Sequence, residues 1–306
     1  MTGLNRRQAL TVLGQGACAS AALTSAPARA TPRLDDRDAV SMLYDATLCT
    51  GCQACVSACN EANDLPPDTE AADGMWHMSG DLTARTKNII KLYQEEDDET
   101  YSFVKRQCMH CLEPACVTGC PFKALDKRAD GAVVWESSRC IGCRYCEIAC
   151  PFDVPKFEWE NFNPRIVKCE FCVHRLDEGV GPACTSVCPT AAVIFGYRAD
   201  LLEESRRRIQ DNPGRYHENR VYGEYEGGGT QVLYLSALPF EKLGLPKLGS
   251  ESVSHYGTKV HHILYRWLAL PIILYLLSAG IIRKRWLDHE TESREEGAKT
   301  GLPRQL

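Results

Sequence analysis

The chain has 306 residues, 17 of them cysteine, and its 35 Lys+Arg against 40 Asp+Glu give a formal net charge of −5. That balance excludes the basic, phosphate-tracking surface of a nucleic-acid binder. With 44% hydrophobic and 25% charged residues it is neither a disordered tail nor a multi-span membrane protein.

Residues 1–30 read as an export signal. Arg6 and Arg7 precede a weakly apolar stretch from Ala9 to Leu23 that holds no acid, and Ala28-Arg29-Ala30 follows as a small-residue cleavage site. This is the pattern of a twin-arginine signal. A first helix of the mature fold is disfavoured by Gly14, Gly16, Pro27 and Pro32. Twin-arginine export moves folded proteins, which suits a chain that takes up a cofactor before crossing into an oxidising periplasm. Cys18 leaves with the signal, so sixteen cysteines remain.

The sixteen fall into four groups of four. Group one is Cys49, Cys52, Cys55 and Cys59; group two is Cys108, Cys111, Cys116 and Cys120; group three is Cys140, Cys143, Cys146 and Cys150; group four is Cys169, Cys172, Cys184 and Cys188. Group three reproduces the bacterial ferredoxin run C-x2-C-x2-C-x3-C-P. Three thiolates two residues apart wrap a loop around one cubane, and the fourth opens a short helix that carries its sulfur to a neighbouring cluster. Proline follows the last cysteine in three groups, where it can start a helix without losing a hydrogen bond; Asn60 stands there in group one. Eight disulfides or zinc sites are the alternatives for an exported chain. Zinc ribbons build one site from separated CxxC pairs, whereas the ferredoxin spacing recurs here, and the simplest inventory is four [4Fe-4S] clusters held by the sixteen cysteines as iron ligands.

Between the groups, Ser41 to Cys49 reads as a short strand running into the first loop. Residues 61–106 read as an insertion of turns and exposed loops, marked by Pro66-Pro67, Asp73-Gly74 and the acidic run from Glu95 to Glu99. Lys123 to Trp135 predicts a hairpin turned at Asp130-Gly131, and Thr190 to Gly196 predicts a strand after group four. The fold class is α+β: tandem ferredoxin-like units over residues 31–200, too thin to hold a core without their clusters. An extension follows over 201–258. In it Ala199 to Gln210 is helical, Arg206-Arg207-Arg208 is a solvated face, and Glu226 to Thr230 lacks the GK[ST] ending of a phosphate loop, so it turns the chain into the strand Gln231 to Leu235. No nucleophile triad and no acid pair appears, so the chain is read as a non-catalytic electron-transfer component.

Ile263 to Ile282 is a mostly apolar run of the length a single transmembrane helix needs, about 30 Å at about 1.5 Å per residue. Arg283-Lys284-Arg285 then predicts a cytoplasmic C-terminus. The expected organisation is a membrane helix with its basic stop over 259–285, a cytoplasmic tail over 286–306, and the rest outside. His261 and His262 precede the helix as interface residues rather than haem ligands, while His77, His110 and His174 lie near cluster loops, where the alternatives are a ring N–H bonded to cluster sulfur and an ordinary surface or packing role.

Taken together, NRRQAL, MLYDATLCTGCQAC, KRQCMHCLEPAC, CIGCRYCEIACPF, VPKF, PTAAVIFG and EGGGTQVLYL resemble the periplasmic electron-transfer subunit of hydrogenase-2-type membrane-bound [NiFe] hydrogenases. The wider family is the four-cluster ferredoxin subunit of molybdopterin oxidoreductases. The resemblance implies partners: the small and large hydrogenase subunits, and an integral membrane subunit that exchanges electrons with quinone. It also implies a pairing. One cluster takes Cys49, Cys52, Cys55 and Cys188, and its neighbour takes Cys169, Cys172, Cys184 and Cys59. The middle pair takes Cys108, Cys111, Cys116 and Cys150, then Cys140, Cys143, Cys146 and Cys120. The iron–sulfur subunit of a respiratory formate dehydrogenase is the second resemblance; it usually lacks a signal of its own, so Arg6-Arg7 favours the first.

Overall fold

A three-stranded sheet stands at the centre, and period-2 alternation of its first strand explains its two faces. In this computed structural model the described residues are 39–66, 80–95, 99–159 and 164–300, without the side chains of 256–266, 268, 269 and 293–300. The signal segment therefore lies outside the described residues, as does His77, and so do the side chains of His261 and His262. Strand β1 (Val40–Asp45) pairs antiparallel with β8 (Val193–Tyr197) and parallel with β9 (Val232–Leu235). Met42 and Tyr44 point into the main core with Phe103, Phe171, Tyr222 and Tyr234. Leu43 points the other way, against Leu201 and Leu202 of helix α6 (Arg198–Asp211). The strand from the C-terminal extension thus completes the sheet that carries the first and last cysteine groups.

Each cysteine group ends in or contains a short helix: α1 (Ala54–Ala62), α2 (Ala115–Thr118), α3 (Tyr145–Ala149), and the pair α4 (Val173–Asp177) and α5 (Ala183–Ser186). The hairpin expected at Asp130-Gly131 is β4 (Leu125–Lys127) and β5 (Val133–Trp135), with Gly131 at φ +92° in the turn. Strands β6 (Lys156–Phe157) and β7 (Ile166–Val167) form a further two-stranded ladder.

Two readings need correction. The insertion is not only loops: β2 (Asn88–Gln94) and β3 (Tyr101–Gln107) form an antiparallel hairpin that sends Ile89, Ile90, Phe103 and Val104 into the core. Nor is Arg206-Arg207-Arg208 uniformly solvated. Arg206 pairs with Glu224 and Arg207 with Glu204 and Asp211, but Arg208 reaches inward to the buried Asp45 at 3.2 Å.

The last element, α7 (Val253–Thr300), is one helix of 48 residues that continues through Pro271. Among the described residues, however, no helix is long and apolar enough to cross a membrane.

Candidate metal centres

The four cysteine groups share a backbone device. The residue before the second cysteine is left-handed in every one: Gly51 at φ +70°, His110 at +47°, Gly142 at +71° and Phe171 at +57°. In groups one and three the residue after that cysteine, Gln53 or Arg144, is left-handed too and caps the following helix. Such turns aim successive backbone N–H groups into a concavity that receives anions, including iron–sulfur groups. Glycine adopts the conformation freely, whereas His110 and Phe171 are bulky residues in a region that disfavours side chains. They are held there by each other: both rings are buried and stack with centroids 3.9 Å apart.

Gly142 has no room for a side chain either, since a Cβ there would stand 2.6 Å from the Pro164 ring. Gly142→Ala therefore combines backbone strain with a clash, costs about 1–3 kcal/mol, and loosens the loop of group three. The expected readout is lowered metal content confined to the site around Cys143; uniform loss from all groups would contradict it.

The sulfurs gather in sets of four. Cys49, Cys52, Cys55 and Cys188 line one cavity beside Tyr44, Ile90 and Val193. Cys120, Cys140, Cys143 and Cys146 line another beside Phe122, Leu125 and Ile166. Cys59, Cys169, Cys172 and Cys184 lie within electrostatic reach of one another. So do Cys108, Cys111, Cys116 and Cys150. Each set takes three cysteines from one group and one from another. Electrostatic influence also crosses between the sets, between Cys55 and Cys184, Cys169 and Cys108, and Cys116 and Cys146.

No two of the sixteen are joined in a disulfide. Burial pushes Cys116, Cys146 and Cys184 up to about 12 and Cys150 to about 11, with neighbouring sulfurs adding to the shift. Cys111 and Cys169 are raised well above the ordinary thiol range for the same reason. Cys188 differs: burial raises it, but hydrogen bonds from the backbone at Val193, Thr190 and Ala192 and from the Thr190 hydroxyl bring it below that range. The raised thiols are protonated when bare, so loading them with metal must release protons. Among the described residues, no three His, Cys, Asp or Glu side chains close on one point as a single-ion site does.

Unpaired donors indicate what the sites suit. His110 Nδ1 accepts the Val133 N–H at 2.9 Å, and its buried Nε2 has no partner. Burial, then Lys168 and Lys127, hold the ring well below the ordinary histidine range, so it is neutral and carries its proton on Nε2. Trp135 Nε1 is likewise buried without an acceptor, in a cluster with Cys116, Cys120 and Cys140. Buried N–H groups beside sulfur-lined sites fit a group rich in sulfide acceptors. His174, in contrast, is exposed on α4.

One support escaped sequence reasoning. The turn over Glu226 to Thr230 carries three left-handed glycines, and its backbone clamps group two: Leu112 donates to the Gly229 carbonyl at 3.0 Å, while Gln231 and Val232 donate to the Met109 carbonyl. Lys127 Nζ adds a bond to the Cys111 carbonyl at 2.6 Å. The glycine run signalled a turn, but nothing in it signalled which loop the turn would hold.

Comparison with known proteins agrees with this chemistry. A family model described as a 4Fe-4S dicluster domain matches residues 99–198. The chain is similar to the hydrogenase-2 operon protein HybA of Escherichia coli O157:H7, with 38% identity covering 94% of this chain and 97% of that one. It is also similar to the iron–sulfur subunit of the nitrate-inducible formate dehydrogenase of Escherichia coli K12, with 35% identity over 70% of this chain and 74% of that one. The formate dehydrogenase iron–sulfur subunit of Haemophilus influenzae matches at 35% over 75% of this chain and 74% of its own length. With cysteine sets of 4Fe-4S type and a likeness that runs through nearly its whole length, the chain belongs to the HybA family of iron–sulfur electron-transfer proteins, related to the iron–sulfur subunits of formate dehydrogenases.

Proposed function

We propose that the chain is a four-cluster wire between a periplasmic [NiFe] hydrogenase and a membrane subunit that reacts with quinone. The observation that carries this reading is that electrostatic influence crosses from set to set between two sets that each have an exposed member. Cys52 in the first set and Cys143 in the last are the exposed members of the sixteen. The sets between them have none. Each set would hold one [4Fe-4S] cluster, which when bound takes up and gives back one electron. The protein positions the sulfurs, buries the set of Cys59, Cys169, Cys172 and Cys184, and leaves one exposed cysteine in each outer set, Cys52 and Cys143, accessible to partners.

Around Cys143 the surface is apolar. Phe122, Ile141, Tyr145 and Trp159 are exposed, Ile148 on α3 is 82% exposed, and the Arg144 guanidinium lies 3.9 Å over the Trp159 ring. Such a patch suits protein docking at an electron exit. On α7, Ile272, Ile273, Leu274, Leu276, Ile281 and Ile282 are exposed as well, which supports attachment of this end at the membrane. The twin-arginine pattern supports export to the periplasm.

The test uses the complex that co-purifies with the C-terminally tagged chain from gently solubilised native membranes. Dye reduction is driven by hydrogen and, side by side, by formate. Activity with hydrogen alone is expected. Activity with formate alone would replace the hydrogenase by a formate dehydrogenase and leave the wire in place.

A further inference from the structure

Lys105 lies on β3 with no exposed surface. Its Nζ donates to Asn88 Oδ1, across the hairpin, at 2.6 Å. That partner is neutral, and among the described residues no carboxylate forms an ion pair with it. The other buried or half-buried acids in this core are taken: Asp45 by Arg208, Glu170 by Lys87 and Glu226 by Arg220. A buried ammonium without a counter-charge is among the most unfavourable placements a fold can hold. The groups that do act on it are sulfurs. Asn88, which accepts from Nζ, also bonds the Cys59 sulfur, and Ile90, opposite Lys105 across the hairpin, lines the cavity of Cys49, Cys52, Cys55 and Cys188. The electrostatic neighbours of Lys105 are Cys55, Cys184, Cys59 and Cys169.

Those four sulfurs belong to two sets: Cys55 to the first, and Cys59, Cys169 and Cys184 to the second. Lys105 therefore stands between the two sites. It is also rigidly placed, because Tyr234 Oη donates to its carbonyl at 2.6 Å and Tyr44 Oη donates to the Phe103 carbonyl at 2.8 Å. A charge at this depth is screened little by salt.

We propose that Lys105 is a fixed cation that raises the reduction potentials of the first and second clusters together, with little effect on the other two. This rests on the four-cluster reading above. Net charge and hydrogen bonding set cluster potentials, and each electron taken up adds negative charge that an adjacent ammonium stabilises. The counter-charge that the lysine lacks is then supplied by the loaded sites themselves.

The experiment is a redox titration followed by paramagnetic resonance on the full complex carrying Lys105→Met, with iron and sulfide content measured on the same samples. Wild type is analysed first; if it does not hold four clusters, the functional reading fails before the lysine is addressed. In Lys105→Met the reduction equilibria of the first and second clusters are expected to shift toward oxidised by about tenfold or more, and tenfold is about 59 mV for a one-electron couple. The other two should move by less than about threefold, as charges beyond the immediate site are weakened by distance. Unchanged potentials at full cluster content, or equal shifts in all four, would overturn the proposal. If Lys105→Met loses the first two clusters, Lys105→Arg decides: regained clusters with near wild-type potentials support a requirement for charge, and failure of arginine to restore them refutes it.

Discussion

Cys188→Ala is expected to abolish the metal site of group one, although the run Cys49, Cys52, Cys55 is untouched, and to spare that of group four, from which the residue comes. The reason is geometric. Cys188 follows α5 and lines the cavity of Cys49, Cys52 and Cys55, beside Thr190, Ala192 and Val193 of the segment leading into β8. Because β8 pairs with β1, the last cysteine of group four is delivered to the loop that follows β1. The converse variant, Cys59→Ala, should empty the site of Cys169, Cys172 and Cys184, since α1 carries Cys59 away from its own group. Each variant should lose about a quarter of the iron and one of four paramagnetic signals. Loss of the group-four signal in Cys188→Ala would show that the groups are self-contained. Cys188→Ala should also stop electron exchange at the end of the line where Cys52 is exposed, while an exchange partner at Cys143 still reduces the remaining three.

The metal chemistry was legible because it is local. Spacing of two, two and three residues is a property of one loop and one helix turn, and the left-handed positions at Gly51 and Gly142 realise it. Which fourth cysteine completes which set is a tertiary fact. Spacing could not supply it, and the pairing came only as what the resemblance implies. The β2–β3 hairpin was missed although Asn88 to Gln94 and Tyr101 to Gln107 are rich in β-branched and aromatic residues, because Pro66-Pro67 and the acidic run made the whole insertion look like loop. Lys105 was invisible for a related reason. A lysine in a strand ordinarily marks the solvent face, and only the packing of the hairpin against α1 and groups one and four turns it inward. The C-terminal helix was legible as a helix from its composition, but among the described residues it is not long and apolar enough to cross a membrane.

Arg208→Ala should be the most destabilising substitution outside the cysteines, and its effect should reach the first metal site. Asp45 ends β1 with no exposed surface and accepts hydrogen bonds from the Thr47 N–H at 3.0 Å, the Thr47 hydroxyl at 2.7 Å and the Tyr216 hydroxyl at 2.9 Å. Among the described residues Arg208 supplies the one ion pair to it, at 3.2 Å, and is itself nearly buried. Removing the guanidinium leaves a buried carboxylate without a counter-ion, which costs about 3–5 kcal/mol. The reciprocal change is milder. In Asp45→Asn the amide oxygen keeps both Thr47 bonds, the amide N–H in place of Oδ2 donates to the Tyr216 hydroxyl oxygen, and Arg208 keeps Glu204 at 2.8 Å, so a loss of about 1–2 kcal/mol is expected. If the charge pair itself is responsible, Asp45→Asn combined with Arg208→Met loses less than the sum of the single changes. The measurement is thermal loss of cluster absorbance together with loss of helical ellipticity. Thr47 lies two residues before Cys49, and Arg215 donates to both its hydroxyl and its carbonyl, so the loop entering group one is anchored by the same network. Bleaching in Arg208→Ala should therefore begin with the cluster of Cys49, Cys52, Cys55 and Cys188. Simultaneous loss of all four would instead mean that Asp45 and Arg208 stabilise the whole fold without a special hold on that loop.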